Sequence, residues 1–77
     1  HYVLELFSFP NPPPRPSHPE ACGLRHLAFA VADVAEKHAE LSAAGVGCEA
    51  IRIDEYTDKP FFFIADPDGL PIEFYGE

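Results

Sequence analysis

The chain has 77 residues and a formal net charge of −8, from 5 Lys and Arg against 13 Asp and Glu. Its few basic residues are scattered, which excludes the electrostatic footprint of a nucleic-acid-binding domain, and no stretch has the length or apolarity of a membrane span or signal peptide. Its two cysteines, Cys22 and Cys48, allow at most one bridge and form no C-x-x-C pair. A reduced, cytoplasmic setting is therefore predicted.

The chain opens with a segment, residues 1–9, whose side chains would fall on two faces of a strand. One face carries Tyr2, Leu4 and Leu6, and the other carries Glu5 among Val3, Phe7 and Phe9. This pattern predicts a strand. Residues 10–21 follow and hold six of the nine prolines. Proline excludes a helix or a central strand there, so we expect a semi-rigid connector.

The second predicted strand covers residues 24–31, and a helix follows. Asp33 is a good N-cap, with Glu36 three residues on, and Gly45 is placed to end the helix. The i, i+4, i+7 stripe of this helix contains His38, which we assign to packing at the edge of the core.

Three further strands are predicted at residues 47–53, 59–65 and 70–75. The sequence Asp-Pro-Asp-Gly at 66–69 predicts a tight turn between the last two. The order from residue 24 is thus βαβββ, an α+β unit.

The first and last predicted strands resemble each other, because each places one glutamate, Glu5 or Glu73, inside an apolar-Glu-apolar-aromatic run. A repeated unit would explain this. On that interpretation residues 1–9 are the last strand of an earlier βαβββ unit, residues 10–21 are the connector, and residues 22–77 are the second unit.

Three residues are candidates for chemistry: Glu5, His26 and Glu73, each on a different predicted strand. Each also has an ordinary explanation. Either glutamate can be a solvated side chain on an exposed strand face, and a lone strand histidine is more often structural than a ligand. The small neighbours of His26 on its strand face, Ala28 and Ala30, nevertheless leave room for a ligand.

Other chemistries find no support, since there is no Gly-rich phosphate loop, no G-x-S-x-G motif and no triad context for the serines. One imidazole and two carboxylates suit a divalent ion such as Zn²⁺, Ni²⁺, Mn²⁺ or Fe²⁺.

The chain resembles the vicinal-oxygen-chelate superfamily, which includes glyoxalases, bleomycin-resistance proteins and dioxygenases. The resemblance rests on the βαβββ order, on His26 lying 21 residues after Glu5 and 47 before Glu73, on Leu-Arg-His-Leu-Ala-Phe at 24–29, and on the 66–69 turn. The segment 5–10, the proline connector and Pro-Glu-Ala-Cys-Gly at 19–23 most resemble bacterial glyoxalase-I-like proteins of the YaeR type.

The resemblance implies a pair of βαβββ units that together hold a metal ion with four side chains. Glu5 would be the ligand from the last strand of the first unit, and His26 and Glu73 the ligands from the second. The fourth, a histidine of the first unit, has no counterpart in the chain, so a missing N-terminal unit and either pairing with it or a homodimer are expected.

The function so implied is that of a lactoylglutathione lyase-like enzyme. In glyoxalase I a metal ion binds the oxygens of a glutathione–2-oxoaldehyde hemithioacetal, and a glutamate, here Glu73, moves a proton between adjacent carbons. The alternatives within the superfamily are a metal-dependent dioxygenase or transferase, and a non-catalytic, bleomycin-resistance-like binding protein.

Overall fold

The computed structural model describes residues 2–77, and the predicted βαβββ order is confirmed within them. The elements are listed in chain order: β1 (Leu27–Val31), α1 (Val34–Ala43), β2 (Arg52–Ile53), β3 (Pro60–Ala65) and β4 (Pro71–Gly76). The strands form one mixed sheet in the order β1-β4-β3-β2. β1 runs parallel to β4, and the other neighbours are antiparallel. The protein is an α+β unit with one helix against a four-stranded sheet.

The predicted opening strand is absent: residues 2–9 contain no helix or strand, and all are exposed. His1 lies outside the described residues. A strand needs a neighbour to satisfy its backbone N–H and C=O groups, and this segment pairs with neither edge of the sheet. Its assignment to an earlier unit stays a prediction.

Two other boundaries differ from expectation. β1 begins at Leu27 rather than at residue 24, and β2 is reduced to Arg52 and Ile53. Earlier in the predicted 47–53 strand, the Glu49 N–H donates to the Phe63 carbonyl oxygen of β3 at 3.0 Å. One such bond does not make a ladder, so regular pairing with β3 is confined to Arg52 and Ile53.

Both predicted helix caps are confirmed. The Asp33 side chain accepts a hydrogen bond from Glu36 N–H at 3.0 Å. At the other end Gly45 has φ +86°, and the N–H of Val46 donates to the Leu41 carbonyl at 3.0 Å. This reversal satisfies carbonyls that the last helical turn leaves open, and it favours glycine because the backbone is left-handed there.

The core lies between α1 and the sheet, against β3 and β4. Phe62 is fully buried and its ring stacks on that of Phe74 at 5.4 Å. His38 meets Phe62 edge-on at 4.9 Å, and its Nε2 lies 3.0 Å from the Glu49 carbonyl oxygen. The assignment of His38 to the edge of the core is therefore confirmed.

Neither α1 nor any other segment of residues 2–77 forms a helix with the length and apolarity needed to cross a membrane. The cysteines are free, Cys22 exposed and Cys48 half-buried.

Phe62→Ala tests the core. We expect the free energy of unfolding to fall by about 3–5 kcal/mol, because the change leaves a cavity at the centre of the sheet. Urea denaturation followed by circular dichroism measures this loss. Tyr56→Ala is the matched control, since Tyr56 is 90% exposed, and a similar loss in both variants would contradict the assignment.

Candidate functional site

The face of the sheet opposite α1 carries the candidate site. Alternation along β4 directs Phe74 to the helix and Glu73 to the other face. In register, Glu73 lies between Ala28 of β1 and Phe63 of β3. The small methyl group of Ala28 leaves space above β1, and Phe63 supplies an aromatic wall.

His26 and Glu73 meet on this face. The His26 Nε2 atom lies 3.3 Å from Glu73 Oε1, with side-chain exposures of 42% and 21%. The His26 ring also packs edge-on against Phe63, with 5.4 Å between ring centroids. Because β1 begins at Leu27, one residue after His26, the imidazole projects from the entry of the strand rather than from its middle.

An open cavity of about 490 Å³ adjoins Glu73 on the same face. Its apolar walls include Phe61 and Tyr75, and its polar rim includes Asp54 and Lys59. A mainly apolar hollow with a few polar groups is typical of small-molecule sites. We did not predict the rim residues from the sequence. The alternation that places 59, 61 and 63 on one face of the predicted strand was the available signal for Lys59.

Glu5, the third candidate, does not join His26 and Glu73 in this structure. It lies in the exposed segment before the connector, and among residues 2–77 no three His, Cys, Asp or Glu side chains form a group that could hold a metal ion. The structure therefore brings together two of the three predicted ligands, and the role of Glu5 stays a prediction.

The geometry of the His26–Glu73 pair fits shared metal ligation. Nitrogen and carboxylate ligands lie about 2.0–2.2 Å from Zn²⁺, so two such donors at tetrahedral angles are separated by roughly 3.4 Å. The observed separation of 3.3 Å between the two donor atoms is close to that value. The residues present can thus supply two neighbouring positions of a divalent-ion site.

Comparison with known families shows the group of proteins to which the chain belongs. Residues 1–74 match the model of the Glyoxalase/Bleomycin resistance protein/Dioxygenase superfamily. The chain belongs to this superfamily. The matched region includes the connector, β1, the helix and the Glu73 position on β4.

Two relatives define the match further. YaeR of Escherichia coli strain K12 is 64% identical over 74 residues, which are 96% of this chain and 57% of YaeR. The crystal structure of a glyoxalase family protein from Enterococcus faecalis superposes with a TM-score of 0.80 at 49% identity, over 84% of this chain and 52% of that one. The chain thus spans somewhat over half of such relatives.

A lactoylglutathione lyase from Agrobacterium tumefaciens has the same fold. It superposes with a TM-score of 0.61 at 24% identity, over 92% of this chain and 52% of the lyase. At this identity the likeness shows the fold alone.

Glu73→Gln tests whether the pair is structural. We expect the free energy of unfolding to change by less than about 1 kcal/mol, because both side chains are partly exposed and glutamine keeps the shape of the side chain and one oxygen acceptor. Urea denaturation measures the change, and Glu40→Gln, on the exposed side of α1 and paired with Lys37, is the control. A loss of several kcal/mol confined to Glu73→Gln would assign the pair to fold stability instead.

Proposed function

We propose that the protein is a divalent-metal-dependent, glyoxalase-I-like lyase acting on a small oxygen-chelating substrate of the 2-oxoaldehyde hemithioacetal class. The observation that carries the proposal is the 3.3 Å approach of His26 Nε2 and Glu73 Oε1 on the helix-free sheet face. Superfamily membership and the fold shared with a lactoylglutathione lyase support it.

The proposed metal ligands are Glu5, His26 and Glu73. His26 and Glu73 already lie side by side, whereas Glu5 belongs to a segment with exposed apolar side chains, including Leu4, Leu6 and Phe7. Apolar surface of this kind is typical of an interface. We propose that association with a further βαβββ unit, in a homodimer or in a longer chain, carries Glu5 to the site and adds a fourth ligand.

Such a site accepts Zn²⁺, Ni²⁺, Mn²⁺ or Fe²⁺, because imidazole and carboxylate ligands suit all four. When bound, the ion supplies Lewis-acid polarisation of the substrate's oxygens and leaves positions open for them. The number and spacing of the two cysteines predict a reduced, cytoplasmic setting for this chemistry.

The chain's own residues supply the proton transfer and the binding surface. Glu73 is the proposed base: a carboxylate oxygen takes a proton from one substrate carbon and returns it to the adjacent carbon. Phe61, Phe63 and Tyr75 lie on the same face and give this carboxylate apolar neighbours. The adjoining cavity then holds the part of the substrate beyond the reacting carbons.

Metal binding is the first test, on the full-length protein. We expect a bound divalent ion, and we expect His26→Ala to weaken binding by more than the roughly 10–100-fold loss that follows removal of an outer-shell partner. Titration calorimetry and elemental analysis measure this. His18→Ala, which changes an exposed histidine of the connector, is the control. Equal metal content in wild-type protein and His26→Ala would refute the site.

Catalysis is the second test, with methylglyoxal and glutathione in a spectrophotometric assay. We expect Glu73→Gln to lower kcat by about 10²–10⁴, the usual contribution of a general base, while Glu40→Gln keeps wild-type activity.

The outcomes separate the competing functions. Oxygen consumption with a catechol by the metal-loaded protein, without hemithioacetal turnover, would indicate a dioxygenase. Ligand binding that does not depend on metal would indicate a binding protein. Either result would overturn the proposed lyase activity.

A further inference from the structure

The geometry points to Arg15, in the proline connector, as the residue that positions His26 for the site. The inference rests on the proposed function only for its consequence in metal binding; the positioning itself concerns the His26 side chain in the metal-free protein.

His26 needs a support outside the sheet. The β1 ladder starts with Leu27, paired with Ile72, so His26 lies one residue before the register that fixes the strand. Its side chain nevertheless lies 3.3 Å from Glu73 and packs edge-on against Phe63. An exposed residue at the frayed end of a strand is free to move unless its backbone is held from elsewhere.

Arg15 holds that backbone. Its Nη2 donates to the Leu24 carbonyl oxygen at 2.8 Å and to the Arg25 carbonyl oxygen at 3.2 Å. The Arg25 carbonyl belongs to the peptide group that leads directly into His26. A fixed orientation of this peptide plane restricts the direction of the His26 Cα–Cβ bond, and hence where the imidazole can reach.

The connector keeps the guanidinium in position. Prolines precede Arg15 at 12, 13 and 14 and follow it at 16, and their fixed φ reduces the conformations open to the segment. The Arg15 side chain is partly buried, and its Nε is buried with no hydrogen-bond partner among the described residues. The placement of Arg15 therefore depends on the two carbonyl contacts and on packing, and its charge is permanent.

A second link between connector and strand entry is weaker. Glu20 pairs with Arg25 at 2.6 Å, but the two side chains are 43% and 71% exposed. Ion pairs open to water contribute little. Arg25→Ala therefore removes an arginine next to His26 without removing the contacts from Arg15, which makes it the matched control.

The experiment compares full-length wild-type protein with Arg15→Ala, Arg15→Lys and Arg25→Ala. In the metal-free state, NMR measures the nuclear Overhauser contact between the His26 and Phe63 rings. We expect Arg15→Ala to lose this contact with the remaining spectrum preserved, Arg15→Lys to retain part of it, and Arg25→Ala to keep it. Zn²⁺ affinity should fall by about 10-fold or more in Arg15→Ala, as for loss of an outer-shell partner.

The two readouts separate the two proposals. If the wild-type protein binds no Zn²⁺, the proposed function fails, and the ring contact still decides the role of Arg15. An unchanged ring contact in Arg15→Ala overturns the positioning role. If that variant does not fold, Arg15→Lys decides: a partial loss of the contact supports the role, and a wild-type contact overturns it.

Discussion

The alternation of side chains along β4 is the constraint on which the site depends. β4 lies between β1 and β3, so its backbone is paired on both sides and its register is fixed. Phe74 is anchored on the helix side by stacking with Phe62 and Phe29. A one-residue slip would expose Phe74 and bury Glu73, at the cost of both apolar burial and carboxylate hydration. Packing on one face thus fixes a carboxylate on the other.

The parts of the fold that were predictable from the sequence are those set by local chemistry. Asp33 caps the helix through its own side chain, and Gly45 adopts the left-handed backbone that other residues avoid. The turn at 66–69 is closed by Asp66, whose side chain accepts hydrogen bonds from Asp68 and Leu70 N–H groups. Each of these features depends on residues within four positions of one another.

The features that could not be predicted from the sequence depend on partners distant along the chain. Residues 2–9 alternate as a strand does, but alternation does not provide a neighbour for hydrogen bonding, and none of the described strands pairs with them. Asp54 and Lys59 lie together at the cavity rim because the β2–β3 connection closes on itself, with the Asp54 N–H donating to the Lys59 carbonyl oxygen at 2.9 Å. Arg15 carries no signal of its own in a proline run, since its contacts with Leu24 and Arg25 depend on how the connector returns to β1. Sequence pattern located His26 and Glu73, and resemblance assigned them their chemistry.

The degree of burial at the site matters as much as its geometry. Complete burial of a His–Glu pair would carry a large desolvation cost, and the two side chains would have no polar partner but each other. A fully exposed pair would be mobile and screened by water and salt. The two side chains lie between these limits, at 42% and 21% exposure, with one flank against Phe63 and the other open to solvent. At this exposure the interaction between the two side chains is weak, and the backbone beneath each residue is held independently. The sheet register holds Glu73, and the contacts from the connector hold the chain that leads into His26.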